Sequence, residues 1–455
     1  MYEVLFKHVL FPAYETFFKR RGTAAFIAEY ERSQWLDRAS LEELQLGKLN
    51  ELLAHCWANV PFLKRYWHKH GMAPGPLGHL SELARFPLLT KALIRSNYSE
   101  MIATNWSGRT MRKSTSGSTG EPFSFEYTME AYARRTAVMW RGYGWGGARL
   151  GTRTGYVWGT AGMRESGWGG IKDRLYHGAF NRRFFDAFSL ATEEDIDGLI
   201  QQMIAYAPQA VVGYVGPLLL VARRMRSKGR SLGGLRGVLT AAETLYEHER
   251  QDMERAFGCP VFNTYGSREV MLMASECERH SGLHINADHL LLETLDDAGR
   301  PVEVGTSGDV AITDFYNFGM PLVRYLNGDR ATQTKDACAC GRGLPLLSSV
   351  DGRVFDSITT VDGRHVPGGY FSYLMINCPD VRQWQVVQTE IDCLQLRIVV
   401  TMPWTRERRE ELSAKLLQKT GPSMRVEIVE VKQIQTTASG KRRPVIPLPK
   451  TESSC

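Results

Sequence analysis

From residue 115 onward, short apolar runs alternate with stretches of helical periodicity. "APQAVVGYVG", "LRGVLTAAETL" and "CPVFNTYGSRE" are such runs, and a helix is expected near 246–257 between the last two. This alternation limits the chain to a layered α/β fold, because each apolar strand has to be covered by the helices that separate it from the next. Residues 1–110 read as mostly helical. In "LEELQLGKLNELLAHCWANV" the apolar residues recur at helical spacing, and the pattern stops just before Pro61. Residues 283–330 turn strand-rich, with "HLLLETLD", "GDVAITDF" and "PLVRYLNGD". Around "DGRVFDSITTVDGRHV" the chain leaves the large domain. "WQVVQTEIDCLQLRIVV", a charged helix near 404–418 and "MRVEIVEV" then read as a small α+β domain. At 455 residues the chain is too long for one small core. The expected division is 1–350 and 351–455.

Composition excludes some classes of function. The net charge is +7, without the dense Lys/Arg run and interleaved aromatics of a nucleic-acid binder. The mild basic excess suits an anionic ligand such as a nucleotide. No apolar run approaches the ~20 residues that span a membrane. The first residues, "MYEVLFKHVLFPAYETFFKRRG", lack the order of a signal peptide and read as an aromatic amphipathic helix broken at Pro12. Two readings of that helix stand: a peripheral anchor on a membrane surface, or a helix packed on its own domain, which is the expectation. Without a signal peptide a disulfide framework is not expected, and a cytoplasmic protein is.

The segment "KSTSGSTGEPFSF" (113–125) concentrates Gly and small hydroxyl residues ahead of the strand-like "FSFEY". Backbone N–H groups and hydroxyls without side-chain bulk are what a phosphate cradle needs; an ordinary surface turn has the same composition. The Walker lysine is absent, since Glu121 stands in its place. "GYGWGG" matches G-x-G-x-x-G through Gly142, Gly144 and Gly147. It follows the helical-looking "AYARRTAVMWR" rather than a strand, so it is read as a loop and not as a dinucleotide site.

Downstream, "TYGSRE" (264–269) follows an apolar strand and ends in Glu269, a position suited to holding Mg²⁺ on a polyphosphate. Tyr265 is placed to lie against a purine. "RYLNGD" puts Asp329 after a strand, where a carboxylate can accept both ribose hydroxyls. "DGRVFD" offers Arg353 and Asp356, and "TTASGKRR" sets Lys441 on a Gly-containing turn. Each piece is common by itself. In this order, from "STSGSTGEP" through "TAAETL", "YGSRE", "RYLNGD" and "GRVFD" to "SGKRR", they resemble the adenylate-forming (acyl-AMP) superfamily along nearly the whole chain. "PLVRYLNGD", "CACGRGLP" and "GLHI" are similar to the phenylacetate–coenzyme A ligase-like branch, which includes proteins of capsule and surface-polysaccharide biosynthesis.

The resemblance implies a large adenylation domain and a small mobile lid that carries the catalytic Lys441. It implies that Ser116, Gly117, Ser118, Thr119 and Gly120 wrap the β- and γ-phosphates of ATP. Ala242, Glu243, Tyr265, Gly266 and Ser267 would surround the adenine side, Asp329 and Arg353 the ribose, and Asp356 would be the hinge. Glu269 would bind Mg²⁺. The implied reaction joins a carboxylic acid to AMP and passes the acyl group to a thiol, that of coenzyme A. The alternatives are transfer to an amine such as an amino sugar, and a non-catalytic protein of the same fold. Three departures stand out: Arg268 where Thr is usual, no Gly in the first half of "TAAET", and a short Pro-rich tail after Lys441. Tyr156, Trp158, Tyr214 and Gly216 are candidates for the acyl pocket.

The cysteines are Cys56, Cys259, Cys277, Cys338, Cys340, Cys378, Cys393 and Cys455. "CERHSGLH" and "CAC" supply Cys277, His280, His284, Cys338 and Cys340, enough thiols and imidazoles for tetrahedral zinc. Spacing alone equally allows buried free thiols beside surface histidines. Similar proteins of the branch carry "GLH" and "CxCGR" together. That resemblance favours Cys277, His284, Cys338 and Cys340 as a structural Zn²⁺ set, with His284 preferred to His280.

Overall fold

The computed structural model describes residues 2–448 apart from 109, 115–122, 160–166, 188–189, 191–192, 354–356, 363–364, 368–370, 372–373, 376–377, 379 and 436–443. The chain divides into two compact units, Met1–Val350 and Asp351–Cys455.

The first unit opens with a helix over Tyr2–Phe18 that widens into π turns at Phe6–Leu10 and Tyr14–Phe18. Sequence reading breaks this helix at Pro12; the structure carries it through. The wide turn pairs the Phe11 N–H with the Phe6 carbonyl just ahead of Pro12, and the backbone stays helical through Phe11–Ala13. The helix Arg38–Asn59 starts where Asp37 accepts a hydrogen bond from the Ser40 N–H at 2.8 Å. It ends where Val60, ahead of Pro61, is forced extended, and Pro61 opens the next helix, Pro61–Lys69. Leu41, Leu49, Leu52, Leu53, Cys56 and Trp57 form its buried face.

The strands are β1 (Thr110–Ser114), β2 (Ser124–Thr128), β3 (Thr154–Trp158), β4 (Arg182–Asp186), β5 (Ala210–Tyr214), β6 (Gly237–Ala241), β7 (Val261–Ser267), β8 (Met271–Glu276), β9 (Leu283–Ile285), β10 (Leu290–Leu295), β11 (Ser307–Asp314), β12 (Tyr325–Thr334) and β13 (Leu346–Arg353). Among the described residues, β3–β13 form one sheet in the order β10-β11-β12-β13-β9-β8-β7-β6-β5-β3-β4. Its β4-β3-β5-β6-β7 half is parallel, and every residue of β5 and β6 is buried, as helices on both faces require. After β7 the chain turns back at Arg268–Val270 and the sheet becomes antiparallel.

Two local readings need correction. "GYGW" is the last turn of the helix Met129–Trp145, not a loop; Gly147, at φ +91°, follows it. Asp329 lies within β12, not after a strand. The strand starts only at Tyr325, because Arg324 is left-handed (φ +48°), and it is bulged. Leu326 faces Ala311 and Arg330 faces Asp309, so Asn327, Gly328 and Asp329 stand opposite Val310 alone. Gly328, at φ +88°, supplies the conformation the bulge needs.

The second unit holds β14 (Ser357–Thr359) paired with β15 (His365–Pro367). Its other sheet contains β16 (Val381–Glu390), β17 (Cys393–Val400), β18 (Arg425–Glu430) and β19 (Val445–Ile446), in the order β18-β17-β16-β19. The helix Arg406–Thr420 buries Leu412 and Leu416 in a core with Val386, Leu394, Leu396 and Ile398, giving an α+β unit.

Candidate active site and metal cluster

β1 and β2 pair antiparallel, Ser114 opposite Ser124, so they are the two arms of a hairpin that flanks the glycine-rich segment. Ser116, Gly117, Ser118, Thr119 and Gly120 lie outside the described residues. At the foot of the hairpin Phe123 is 1% exposed and stacks on Tyr325, ring centroids 5.9 Å apart and 15° from parallel.

Tyr325 in turn donates from its hydroxyl to Glu269 Oε1 at 2.8 Å. Glu269 sits in the turn between β7 and β8 and is buried. The turn is tight: a Cβ on Gly266 would stand 2.1 Å from the Met271 carbonyl oxygen. The buried Arg135 guanidinium pins the turn from below by donating to the Arg268 carbonyl at 2.9 Å. Lys91 Nζ lies 3.7 Å from Glu269 Oε1 and donates to the Asn327 carbonyl at 3.1 Å. Sequence reasoning missed Lys91, because it lies in the helical first third of the chain; the isolated bridge from Leu89 to Tyr325 brings it here.

The bulge in β12 turns Asn327 and Asp329 to the same side. Tyr265 donates from its hydroxyl to Asp329 Oδ2 at 3.0 Å, and Asn327 Nδ2 donates to the same oxygen at 2.7 Å. Tyr265 is anchored in the main core, so its ring is fixed. Ser267 Oγ is shielded from solvent and has no hydrogen-bond partner among the described residues. Ala242 adopts φ +67°, the left-handed conformation a glycine takes without strain. Glu243 Oε2 accepts from the Gly216 N–H at 2.6 Å, joining the end of β6 to the start of the helix Val215–Ser227. Beside them Trp158 and Tyr214 pack at 4.3 Å, while Tyr156 stacks on Phe184 at 4.9 Å. The side chain of Arg353, and all of Asp356 and Lys441, lie outside the described residues.

A second cluster lies at the far end of β8. The ligand atoms of Cys277, His284, Cys338 and Cys340 all fall within 4.8 Å of one another. Cys277 Sγ and Cys338 Sγ are 3.6 Å apart, and Cys340 Sγ is 3.3 Å from His284 Nε2. Thiolates around a tetrahedral zinc stand about 3.8 Å apart, so the donor set fits that ion. His284 Nδ1 faces the Leu344 carbonyl at 3.3 Å, which leaves Nε2 as the ligand atom. Burial pushes the His284 imidazole down to about 4 and keeps it neutral. Burial pushes the Cys277 thiol up to about 12; on Cys340 burial is outweighed by hydrogen bonds from the Arg342 backbone and side chain, which hold its thiol below the ordinary range. His280 points elsewhere: its ring packs on Phe262 and its Nδ1 lies 3.3 Å from Glu276 Oε2.

Residues 358–447 match the CapK C-terminal domain family. Over 449 residues the chain is 26% identical to a phenylacetate–coenzyme A ligase of Thermus thermophilus, covering 91% of this chain and 98% of that one. It is 25% identical over 452 residues to Protein CapK of Staphylococcus aureus, covering 94% and 93%. The fold matches a crystal structure of 2-hydroxyisobutyryl-CoA ligase in the postadenylation state, with a TM-score of 0.74 and 20% identity over 92% of this chain and 91% of that one. The chain is thus similar over nearly its whole length to phenylacetate–coenzyme A ligases and to CapK, shares the fold of a coenzyme A ligase that forms an acyl adenylate, and matches the CapK C-terminal domain family over residues 358–447.

Proposed function

We propose that this protein activates a carboxylic acid with ATP to an acyl adenylate and then transfers the acyl group to the thiol of coenzyme A. The observation that carries the reading is the crossed pairing of two carboxylates: Tyr325 of β12 holds Glu269 in the turn after β7, and Tyr265 of β7 holds Asp329 on β12. In the first step a carboxylate oxygen of the acid bonds to the α-phosphorus and pyrophosphate leaves. In the second the thiolate attacks the acyl carbon and AMP leaves. Neither step uses a protein nucleophile; the chain aligns two anions and offsets the charge that builds between them.

Asp329 accepts the ribose hydroxyls, with Arg353 beside the sugar. Ala242, Glu243, Tyr265, Gly266 and Ser267 border the base. Ser116, Gly117, Ser118, Thr119 and Gly120 present backbone N–H groups and hydroxyls to the phosphates, and Lys441 from the second unit bridges the carboxylate and the α-phosphate. Glu269 holds Mg²⁺, which supplies charge neutralisation on the polyphosphate. Cys277, His284, Cys338 and Cys340 hold a structural Zn²⁺ that ties the start of β9 to the loop before β13. A carboxylic acid, ATP and coenzyme A are the expected partners. No described helix is long and apolar enough to cross a membrane, and a cytoplasmic location fits this chemistry.

The test is a pyrophosphate-release screen over aryl, short-chain and hydroxy acids, repeated with coenzyme A or an amine as acceptor. Acid-dependent pyrophosphate release followed by coenzyme A-dependent AMP release is expected. Amine-dependent turnover without a thioester would move the second step to an amide synthetase. ATP binding with no pyrophosphate release from any acid would leave only a binding protein.

A further inference from the structure

The N-terminal helix is two-faced in a five-residue rhythm set by its π turns. Phe6 and Phe11 are buried against Phe180, with Ile27, Tyr30 and Trp140 in the same cluster. Val4 and Val9, and Leu5 and Leu10, each five residues apart, lie on the outside. The next residues of these rows, Tyr14 and the buried Glu15, turn inward, and beyond them Phe17 and Phe18 are 77% and 81% exposed. The neighbouring helix Gly167–Ala179 extends the face with Ile171 and Leu175, the latter 70% exposed. The two helices are fixed together: Tyr14 packs on Tyr176 at 5.9 Å, and the Tyr2 hydroxyl donates to the Ala179 carbonyl. Solitary exposed apolar residues are ordinary on a protein surface; several on two locked helices mark an interaction site.

Charge identifies what covers it. Along the helix Glu3 is paired with Arg236, Lys7 with Glu31, and Glu15 is buried against Thr23. Lys19, Arg20 and Arg21 follow directly on the exposed phenylalanines, and none of them forms an ion pair with a described residue. Lys19 and Arg21, with Phe18, Met111 and Met129, line a cleft of ≈ 340 Å³. Arg21 lies over the Tyr132 ring at 4.6 Å, and its Nε is shielded from solvent without a hydrogen-bond partner among the described residues. Aromatic side chains beside unpaired cations suit the boundary between headgroups and acyl chains of an anionic bilayer, where apolar burial and attraction to phosphates add. A second copy of the chain fits poorly, since a two-fold contact through this face would bring two sets of unpaired cations together.

We propose that the N-terminal helix, with Leu175 and Ile171 beside it, is a peripheral docking surface for an anionic lipid bilayer. Phe17 and Phe18 enter the acyl boundary, and Lys19, Arg20 and Arg21 take the lipid phosphates. The protein then works at the membrane surface.

The full chain is sedimented with vesicles of phosphatidylcholine alone and of phosphatidylcholine with about a third phosphatidylglycerol, at about 0.1 M salt. Binding to the second vesicles, weak binding to the first and release at high salt are expected. The double variant Phe17→Glu/Phe18→Glu is expected to lower the partition coefficient about tenfold or more, with an unchanged melting temperature because both rings are exposed. Lys19→Gln/Arg20→Gln/Arg21→Gln is expected to abolish the preference for anionic vesicles while residual binding persists. No binding to anionic vesicles, or a Phe17→Glu/Phe18→Glu variant that binds as well as the parent, overturns the proposal. So does a concentration-dependent dimer that the same double variant dissociates, which would assign the face to a second copy.

Discussion

Tyr265 on β7 donates a hydrogen bond to Asp329 on β12 across the sheet, at 3.0 Å, and Asn327 donates to the same carboxylate oxygen. The pair is a rigid shelf: the ring is held by the core, and the carboxylate by two donors. If Asp329 accepts the ribose hydroxyls, its orientation matters equally before and during the reaction. Tyr265→Phe is therefore expected to raise the KM for ATP about tenfold, the value of one hydrogen bond to a charged group, with kcat within about twofold. A fall in kcat at constant KM would show that Tyr265 does not act through nucleotide binding.

The parallel half of the sheet was legible because burial on both faces leaves β5 and β6 almost wholly apolar; Thr240 is buried too, its hydroxyl donating to the Phe262 carbonyl of β7. The helix Arg38–Asn59 was legible from its end signals, with Pro61 closing it. Asp329 was displaced by one feature that periodicity does not carry, a bulge whose only trace is Gly328 inside a strand. "GYGW" was misread because glycine is weighted as a helix breaker, whereas here Gly142 is required by contact: a Cβ would meet Leu272 and Ser275 at 2.5 Å. Pro12 was weighted the same way, yet the helix continues through it between two widened turns. Lys91 was beyond reach because nothing in its own segment marks it; only the long-range pairing of Leu89 with Tyr325 does. Ala242 shows the reverse case. "TAAET" lacks the glycine its backbone calls for, and the structure accepts the strain at φ +67°.

Metal analysis of the purified protein is expected to give about one zinc per chain. Cys338→Ser is expected to lower that content and to drop the melting temperature by more than about 5 °C, because an ion held by Cys277, His284, Cys338 and Cys340 would link the 277–284 segment to the 338–342 loop. Cys259→Ser tests whether loss of any buried thiol would do the same: Cys259 is buried outside the cluster and is expected to leave the zinc content unchanged. A metal-free parent with the stability of the loaded protein would remove the site.

Glu249 caps the helix Glu247–Phe257 by accepting from the Tyr246 N–H at 3.2 Å, and burial raises its carboxyl from 4.5 to about 7. A carboxyl raised in the folded state favours folding fully below 4.5, and that contribution is lost as pH climbs through about 7. Glu249→Gln keeps the acceptor and removes the titration. The variant is expected to gain stability over the parent between pH 4.5 and 7, and to stay ahead above it by no more than about 1 kcal/mol, since the side chain is only half-buried. Urea midpoints of both proteins at pH 4.5 and 8 decide it; parallel curves would show that Glu249 has an ordinary carboxyl.

Lys441 carries the sharpest mechanistic test. It belongs to the unit Asp351–Cys455, whereas the glycine-rich segment, Glu269 and Asp329 belong to Met1–Val350. If Lys441 is the cation of the proposed reaction, its charge counts most as the carboxylate is driven against the α-phosphate. Lys441→Ala is therefore expected to depress adenylation by about 10²-fold or more, roughly 3 kcal/mol, while ATP affinity changes little. The thioester-forming step begins after pyrophosphate has left and needs no charge at that point, so a chemically supplied acyl adenylate should still be consumed by the variant at close to the parent rate. Both half-reactions are measured on one preparation. Equal losses in the two would mean that the substitution has damaged the second unit as a whole, and circular dichroism of the same sample would show it. No loss in either would mean that the cation comes from elsewhere. Lys91, 3.7 Å from Glu269, and the exposed Arg268 on the same turn are then the residues to replace.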